Sequence, residues 1–210
     1  MLNNNDNQGV VNFYSWETDF DAIVVIDGVA YPNLYNVQLS FLPHTTEIKL
    51  QNNSFERVKY LFSHLAQNSI ITNQNDTLQT VWFKMPVNKI LLPSNPYDHL
   101  LCRVLYRKIQ AIAGKYLHIG QLRLDSRLGD NVQYTIDNDS FDDGIFQKAN
   151  WLNDKLKEPW WDRNDTATFD QMVSADEYWT GVRSWRELGY GSDAPKKEFN
   201  PTIISGGKDK

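Results

Sequence analysis

The chain has 210 residues, of which 41% are hydrophobic and 22% charged. These are ordinary values for a folded domain, and they exclude a fibrous or wholly disordered protein. Its single cysteine excludes an intramolecular disulfide and a cysteine-rich zinc module. No segment has the character of a signal peptide or a membrane span, which predicts a cytoplasmic protein, or a virion protein if a phage encodes it.

The net charge of -5 is unevenly distributed along the chain. Residues 1–36 contain five acids and neither Lys nor Arg, whereas residues 37–136 contain eleven Lys and Arg against six acids. Residues 137–210 contain ten Lys and Arg against fifteen acids. A basic middle therefore lies between two acidic ends, and this pattern indicates where charged partners would bind.

The first fifty residues predict a hairpin and further strands. Asp27 and Gly28 supply the positive φ angles of a two-residue turn between apolar segments at 22–26 and 29–31. Alternating apolar residues predict a strand over 37–41, and Ile48 and Leu50 repeat the same alternation.

Two helices are predicted in the middle of the chain. The first covers 54–66, since Asn53 and Glu56 have the spacing of a capping box and apolar side chains follow at helical intervals. Short strands are predicted at 80–83 and 89–92. The second helix begins with Asn95 as N-cap and Pro96 at its first position, and it stops at Gly114. Its apolar face consists of Leu101, Val104, Leu105 and Ile112.

A second hairpin follows these helices. The apolar alternation over 117–124 changes phase near Gly120, which predicts a bulge that lets both halves of the strand face the core. A turn over 129–131 then leads into a strand over 132–136. Together the elements predict an α+β fold, with a mixed, largely antiparallel sheet and two main helices on one face.

The composition divides the chain into four parts. Residues 1–9 form a polar N-terminal tail, residues 10–140 the α+β domain, and residues 141–194 an acidic, tryptophan-rich arm with one short helix at about 145–157. Residues 195–210 form a C-terminal tail.

The arm contains five of the seven tryptophans. Large aromatic side chains dominate interface energetics, so these rings are candidate partner-binding residues. The alternative is that they pack on the sheet of their own domain. The five residues are Trp151, Trp160, Trp161, Trp179 and Trp185.

The basic middle offers a nucleic-acid hypothesis. Arginines one helical turn apart, with a tyrosine between them, could combine phosphate contacts with base stacking. Nearby acids favour a solvated helix face instead. The candidate residues are Arg103, Tyr106, Arg107, Lys115, Arg123 and Arg127.

A third hypothesis is a metal-dependent nuclease. The spacing of Asp27, Glu47 and Lys49 resembles that of PD-(D/E)XK nucleases, although the proline before the aspartate is absent. The resemblance implies strand-borne carboxylates that hold a divalent metal ion and polarise a phosphodiester. Chance spacing is the favoured interpretation, since Asp27 is already explained as a turn residue.

The leading hypothesis is a non-enzymatic protein-interaction or assembly protein, such as a phage virion or accessory component, that docks through the tryptophan-rich arm. Its expected partner is another protein or a second copy of the chain, with nucleic acid as the alternative and no membrane. No glycine-rich phosphate loop is present, so no nucleotide cofactor is expected, and the sequence indicates no metal site.

Overall fold

A computed structural model describes residues 14–76, 81–82, 84–130, 132–137, 158–170 and 183–191. In these residues the order of elements is β1 (Tyr14–Ile26), β2 (Val29–Pro43), α1 (Ile48–Tyr60), β3 (Ser69–Asn73), β4 (Lys89–Leu92), α2 (Asp98–Ala113), β5 (Leu117–Ser126) and β6 (Tyr134–Asp137). The six strands form one sheet in the order β4-β3-β1-β2-β5-β6. Three neighbouring pairs are antiparallel, and the β1–β3 and β3–β4 pairs are parallel. The predicted α+β fold with a mixed, largely antiparallel sheet is therefore confirmed.

The β1–β2 hairpin is the longest unit of the sheet. Asp27 and Gly28 have φ angles of 51° and 79°, so they form the predicted turn, and Ile26 pairs with Val29 directly beside it. The two strands are 13 and 15 residues long. Both are much longer than the apolar segments that predicted them, because polar side chains alternate with the apolar ones along most of their length.

The two main helices cover one face of this sheet. Every second residue of β2 from Tyr35 to Phe41 is buried, together with the apolar face of α2 that the sequence predicts. Gly114 has a φ angle of 65° and ends α2 as predicted. A π-helical turn, Leu61–Ala66, follows α1 and adds Phe62 to the core.

The predicted bulge in β5 is also confirmed. Ser40 of β2 pairs with Gln121 while Phe41 pairs with Ile119, so Gly120 is the extra residue. The bulge reverses the alternation between Ile119 and Leu122 and leaves both side chains fully buried.

The strand expected to include Ile48 and Leu50 is wrong. β2 ends at Pro43, whose ring cannot donate to a strand ladder, and α1 begins at Ile48. Asn53 therefore lies inside α1 instead of capping it, and its amide donates to the carbonyl of Gly191 at 3.1 Å. Two alternating apolar residues are too few to define a strand, and Ile48 is 69% exposed in the first turn of α1.

Two further predicted boundaries differ from the structure. The amide of Asn95 donates to the Asp27 carboxylate at 3.0 Å instead of capping α2, which begins at Asp98 after an extended Tyr97. Val81 and Trp82 are helical, so the strand predicted over 80–83 is wrong in its described part. Residues 80 and 83 lie outside the described residues.

Two described segments of the tryptophan-rich arm belong to the same core. Residues 158–170 and 183–191 bring in Trp160, Trp161 and Trp185, which are 1%, 1% and 4% exposed. The predicted tails at 1–9 and 195–210 and the predicted helix at 145–157 lie outside the described residues. Among the helices that the structure describes, none combines the length and apolar character needed to cross a bilayer.

Replacing Trp160 by Ala should lower the free energy of unfolding by about 3–5 kcal/mol, because a fully buried aromatic ring leaves a cavity that the surroundings fill only in part. Urea unfolding followed by circular dichroism measures the loss. The matched control is Ile48→Ala, which removes an apolar side chain that is 69% exposed and should cost less than about 0.5 kcal/mol. Equal losses for the two variants would show that the arm is not part of the core.

Candidate functional site

The indole of Trp160 joins the arm to the edge of the sheet. Its Nε1 donates to the carbonyl of Leu91 in β4 at 2.8 Å, and its backbone N–H donates to the Asp170 carboxylate at 3.1 Å. Leu91 in turn donates its N–H to the carbonyl of Thr168 at 3.0 Å. The segment that contains Thr168 therefore covers the outer edge of β4, which would otherwise expose unpaired backbone groups.

A buried lysine of α2 holds the same segment from the other side. Lys108 is completely buried, and its ammonium donates to the carbonyls of Trp160 and Arg163, each at 2.9 Å. The Asp165 carboxylate lies 3.3 Å from the same nitrogen. Burial lowers the pKa of Lys108 to about 8, against the opposing effect of Asp165. One side chain thus satisfies two carbonyls that the arm brings into the interior.

A second cation, Arg57 of α1, holds the end of the arm. Its Nε and Nη2 donate to the carbonyl of Tyr190 at 3.0 and 2.8 Å, while Nη1 donates to the carbonyl of Ile112 at 3.3 Å. The guanidinium also lies 5.8 Å from the ring centre of Trp185. Two buried cations therefore hold the described arm against α1 and α2.

These contacts show where the five candidate tryptophans lie. Trp160, Trp161 and Trp185 pack on the sheet and helices of their own chain, as the alternative interpretation expected, and burial leaves almost no ring surface for a partner. Trp151 and Trp179 lie outside the described residues, so a docking role for these two remains a prediction.

The six candidate nucleic-acid residues do not form one surface. Tyr106 is buried and donates its hydroxyl proton to the carbonyl of Ile119 at 3.2 Å, so its ring has no free face for a base. Arg107 binds the Asp162 carboxylate through two nitrogens, at 2.7 and 2.6 Å. The acidic arm thus neutralises one of the two arginines on which the nucleic-acid hypothesis depends.

The remaining basic residues of that set are dispersed. Arg103 is half-buried on α2, and Lys115 is exposed in the turn after that helix. Arg123 is exposed between the buried Leu122 and Leu124, which places it on the opposite face of the sheet, and Arg127 follows the end of β5.

The three residues of the nuclease hypothesis are far apart. Asp27 precedes β2 and Glu47 follows it, so the two are separated by a strand of 15 residues, which spans roughly 45 Å. Glu47 and Lys49 stand at the start of α1 instead of in a strand. No metal ion can contact Asp27 and Glu47 together. Within the described residues, no group of three or more His, Cys, Asp or Glu side chains is arranged to hold a metal ion.

A groove that the sequence analysis did not predict opens beside the β1–β2 hairpin. It has a volume of about 390 Å³. Its apolar walls come from alternate residues of the two strands and from Val87 in the segment before β4, and Asp21 and Arg127 add opposite charges. The apolar lining residues used below are Ile23, Pro32, Leu34 and Val87.

Exposed apolar side chains surround the same end of the sheet. β5 pairs with β2 only from Tyr35 onward, so the start of β2 projects beyond it and exposes Val29 and Tyr31. Leu128 donates its N–H to the side chain of Asn33 at 3.1 Å, which places another exposed apolar residue there. Val29 and Tyr31 lie on the same face of β2 as the buried Tyr35, whereas Ile23 and Val87 line the groove on the opposite face of the sheet. We define the hairpin-end surface as these exposed side chains on the two faces of the hairpin end: Ile23, Val29, Tyr31, Val87 and Leu128.

Sequence patterns gave partial signals for this surface. The apolar segment 22–26 has no polar alternation, which indicates that Ile23 and its neighbours meet apolar surface on both sides of the strand. The neighbouring Val87 and Leu128 come from connections whose path depends on the whole fold. No local pattern connects them to the hairpin.

Comparisons with known proteins give distant structural likenesses. An uncharacterized protein from Wolinella succinogenes superposes with a TM-score of 0.42 at 8% identity, over 61% of this chain and 99% of that chain. A 6-pyruvoyltetrahydropterin synthase from Plasmodium vivax, solved as a catalytic-residue mutant, gives a TM-score of 0.31 at 8% identity, over 60% of this chain and 97% of that one. No protein-family model and no curated protein matches the sequence. Likenesses this distant assign neither a family nor a function.

The buried Lys108 predicts a characteristic pH dependence. Its pKa is lowered to about 8 in the folded chain, so between about pH 8 and its ordinary pKa of 10.5 the unfolded chain binds more protons. The contribution of this group to stability therefore rises with pH across that window. Relative to a Lys108→Met variant, the parent chain should gain roughly 1–2 kcal/mol between about pH 7.5 and about pH 9.5.

Urea unfolding of both chains at several pH values measures this difference, and other titrating groups cancel in the comparison. A Lys59→Met variant, which removes a half-exposed lysine of α1, is measured beside it as the matched control. Parallel curves for the parent chain and Lys108→Met would mean that Lys108 keeps an ordinary pKa.

Proposed function

We propose that the protein is a non-enzymatic interaction or assembly protein whose partner binds at the hairpin-end surface. The observation that carries this proposal is the exposure of apolar side chains on both faces of the hairpin end, with Ile23 in the groove on one face and Val29 and Tyr31 on the other. Exposed apolar surface gathered at one end of a sheet is costly in water and is typical of sites that another protein covers.

The arrangement of the described residues supports a binding role over catalysis. The single thiol, Cys102, is buried, and burial raises its pKa to about 12, so it stays neutral and unreactive. The groove combines apolar walls with the two charged side chains Asp21 and Arg127, which suits recognition of a protein segment. A phage virion or accessory protein is one setting for such an interaction, and it stays part of the proposal.

Aspartate substitution of the hairpin-end surface tests whether the chain associates with itself. If the partner is a second copy, light scattering of the parent chain should give a defined oligomer, and Tyr31→Asp with Leu128→Asp should shift it to the monomer with at least a tenfold loss of affinity. The matched control is Ile48→Asp, which places the same charge at an exposed apolar position beyond the other end of β2. This control should leave the oligomer intact.

If the parent chain is a monomer, a photoreactive residue in place of Tyr31 identifies a different partner. Cross-linking in cells of the source organism should give a specific adduct at Tyr31 and none at Ile48. The purified partner should then bind the parent chain and lose at least tenfold affinity for the Tyr31→Asp, Leu128→Asp chain. A monomer without an adduct above the Ile48 control would overturn the proposed function.

A further inference from the structure

We propose that the free edge of β1 binds an extended polypeptide segment carrying lysine or arginine at alternate positions, which adds to the sheet as a further strand. The inference deepens the proposed function, on which it rests, by giving the chemical character of the partner. It depends on three observations: an unpaired strand edge, a row of acidic side chains along it, and the groove at its end.

Half of β1 has a neighbouring strand on one side only. β2 pairs with β1 from Tyr14 to Ile26, whereas β3 pairs with Ala22, Ile23 and Val24 alone. The other side of residues 14–20 therefore has no strand among the described residues. The free edge is long enough for about three residue pairs of an added strand.

Backbone hydrogen bonds fix which groups point toward this edge. Asp21 donates its N–H to the side chain of Gln67 at 3.2 Å and accepts from the N–H of Asn68 at 2.7 Å, so its backbone faces away from β2. Backbone direction alternates along a strand, and therefore Ser15, Glu17 and Asp19 present their N–H and C=O groups in the same direction. No described residue pairs with those outward groups.

The side chains of the same residues form an acidic row. Glu17 and Asp19 are exposed on the face opposite the helices, and the Asn36 amide donates to both carboxylates at 3.0 Å. No cation pairs with either carboxylate within the described residues. Residues 1–36 contain no Lys or Arg at all, so the negative potential of this edge is not balanced by its own hairpin.

The two features together specify the partner. An added strand would satisfy the outward backbone groups and place every second side chain on the face of Glu17 and Asp19. Lysine or arginine at those positions would pair with the carboxylates across the new strand pair. Gln67 and Asn68 occupy the outward backbone groups of Asp21, so the added strand would end there. Asp21 itself lines the groove, which places the end of the bound segment beside the hairpin-end surface.

The same charges disfavour a second copy of this chain at the edge. Two β1 edges in antiparallel contact would bring carboxylates opposite carboxylates, and like charges across a strand pair are destabilising. Acidic side chains on an edge strand thus prevent self-association while leaving a complementary basic strand free to bind.

The test uses a fluorescent peptide of eight residues in which Lys alternates with Thr, titrated into the full chain and followed by anisotropy. Binding should weaken at least tenfold in the Glu17→Gln, Asp19→Asn chain, whose amides keep hydrogen-bonding capacity toward Asn36. The matched control is Asp125→Asn, Asp130→Asn, which removes two charges outside the edge and should leave affinity within about twofold. A peptide with Glu in place of Lys should not bind.

Two measurements separate strand addition from general charge attraction. Methylation of alternate peptide nitrogens blocks backbone pairing and should abolish binding, because charge alone would survive it. Saturating peptide should slow hydrogen exchange at the amides of Ser15, Glu17 and Asp19 at least tenfold.

The inference is overturned if the methylated peptide binds equally well, if the double variant binds normally, or if no binding occurs at low salt. It is also overturned if those three amides are already protected in the free chain, since another part of the chain would then occupy the edge. Failure here with hairpin-end assembly intact would remove this inference and keep the proposed function.

Discussion

The ammonium of Lys108 is the interaction on which the closure of the core depends. A lysine in the centre of α2 is expensive to bury unless each proton finds an acceptor, and the acceptors come from residues 158–170, far along the chain. The ammonium of Lys108 therefore has its acceptors only when the arm packs against α2. Arg57 repeats the arrangement on α1, where it binds the carbonyl of Tyr190. Both helices thus have a charged residue whose partner is the distal part of the chain.

Local sequence patterns predicted most helices and strands of the domain. They did not predict the contacts with the arm that complete the core. The Asp27–Gly28 turn, the Gly120 bulge and the apolar face of α2 each depend on residues a few positions apart, and all three agree with the structure. The start of α1 was missed because Ile48 and Leu50 alternate as in a strand, although two residues are too few to define a period. The site was missed for a different reason: Lys108 and Arg107 resemble ordinary surface cations until the arm brings Asp162 and Asp165 to them.

The outer edge of β4 and the unpaired part of β1 are protected in different ways. At β4 the chain covers its own edge, since Thr168 and the indole of Trp160 occupy the backbone groups of Leu91. At β1 the described residues leave the edge open, and exposed acids line it instead. A covered edge cannot pair with any strand. An acidic edge disfavours pairing with acidic strands but still allows pairing with basic ones. The proposed binding of a basic segment depends on this difference between the two edges.

Arg57 and Tyr190 are 133 residues apart in the sequence. Their contact can therefore form only late in the synthesis of the domain. A ribosome that adds about 5–20 residues per second completes α2 several seconds before it delivers the residues that cover that helix. During this interval the nascent chain displays an apolar layer with two uncompensated cations. Late-closing contacts of this kind slow folding and favour chaperone engagement. The domain therefore becomes native only after residues 158–191 have been synthesised.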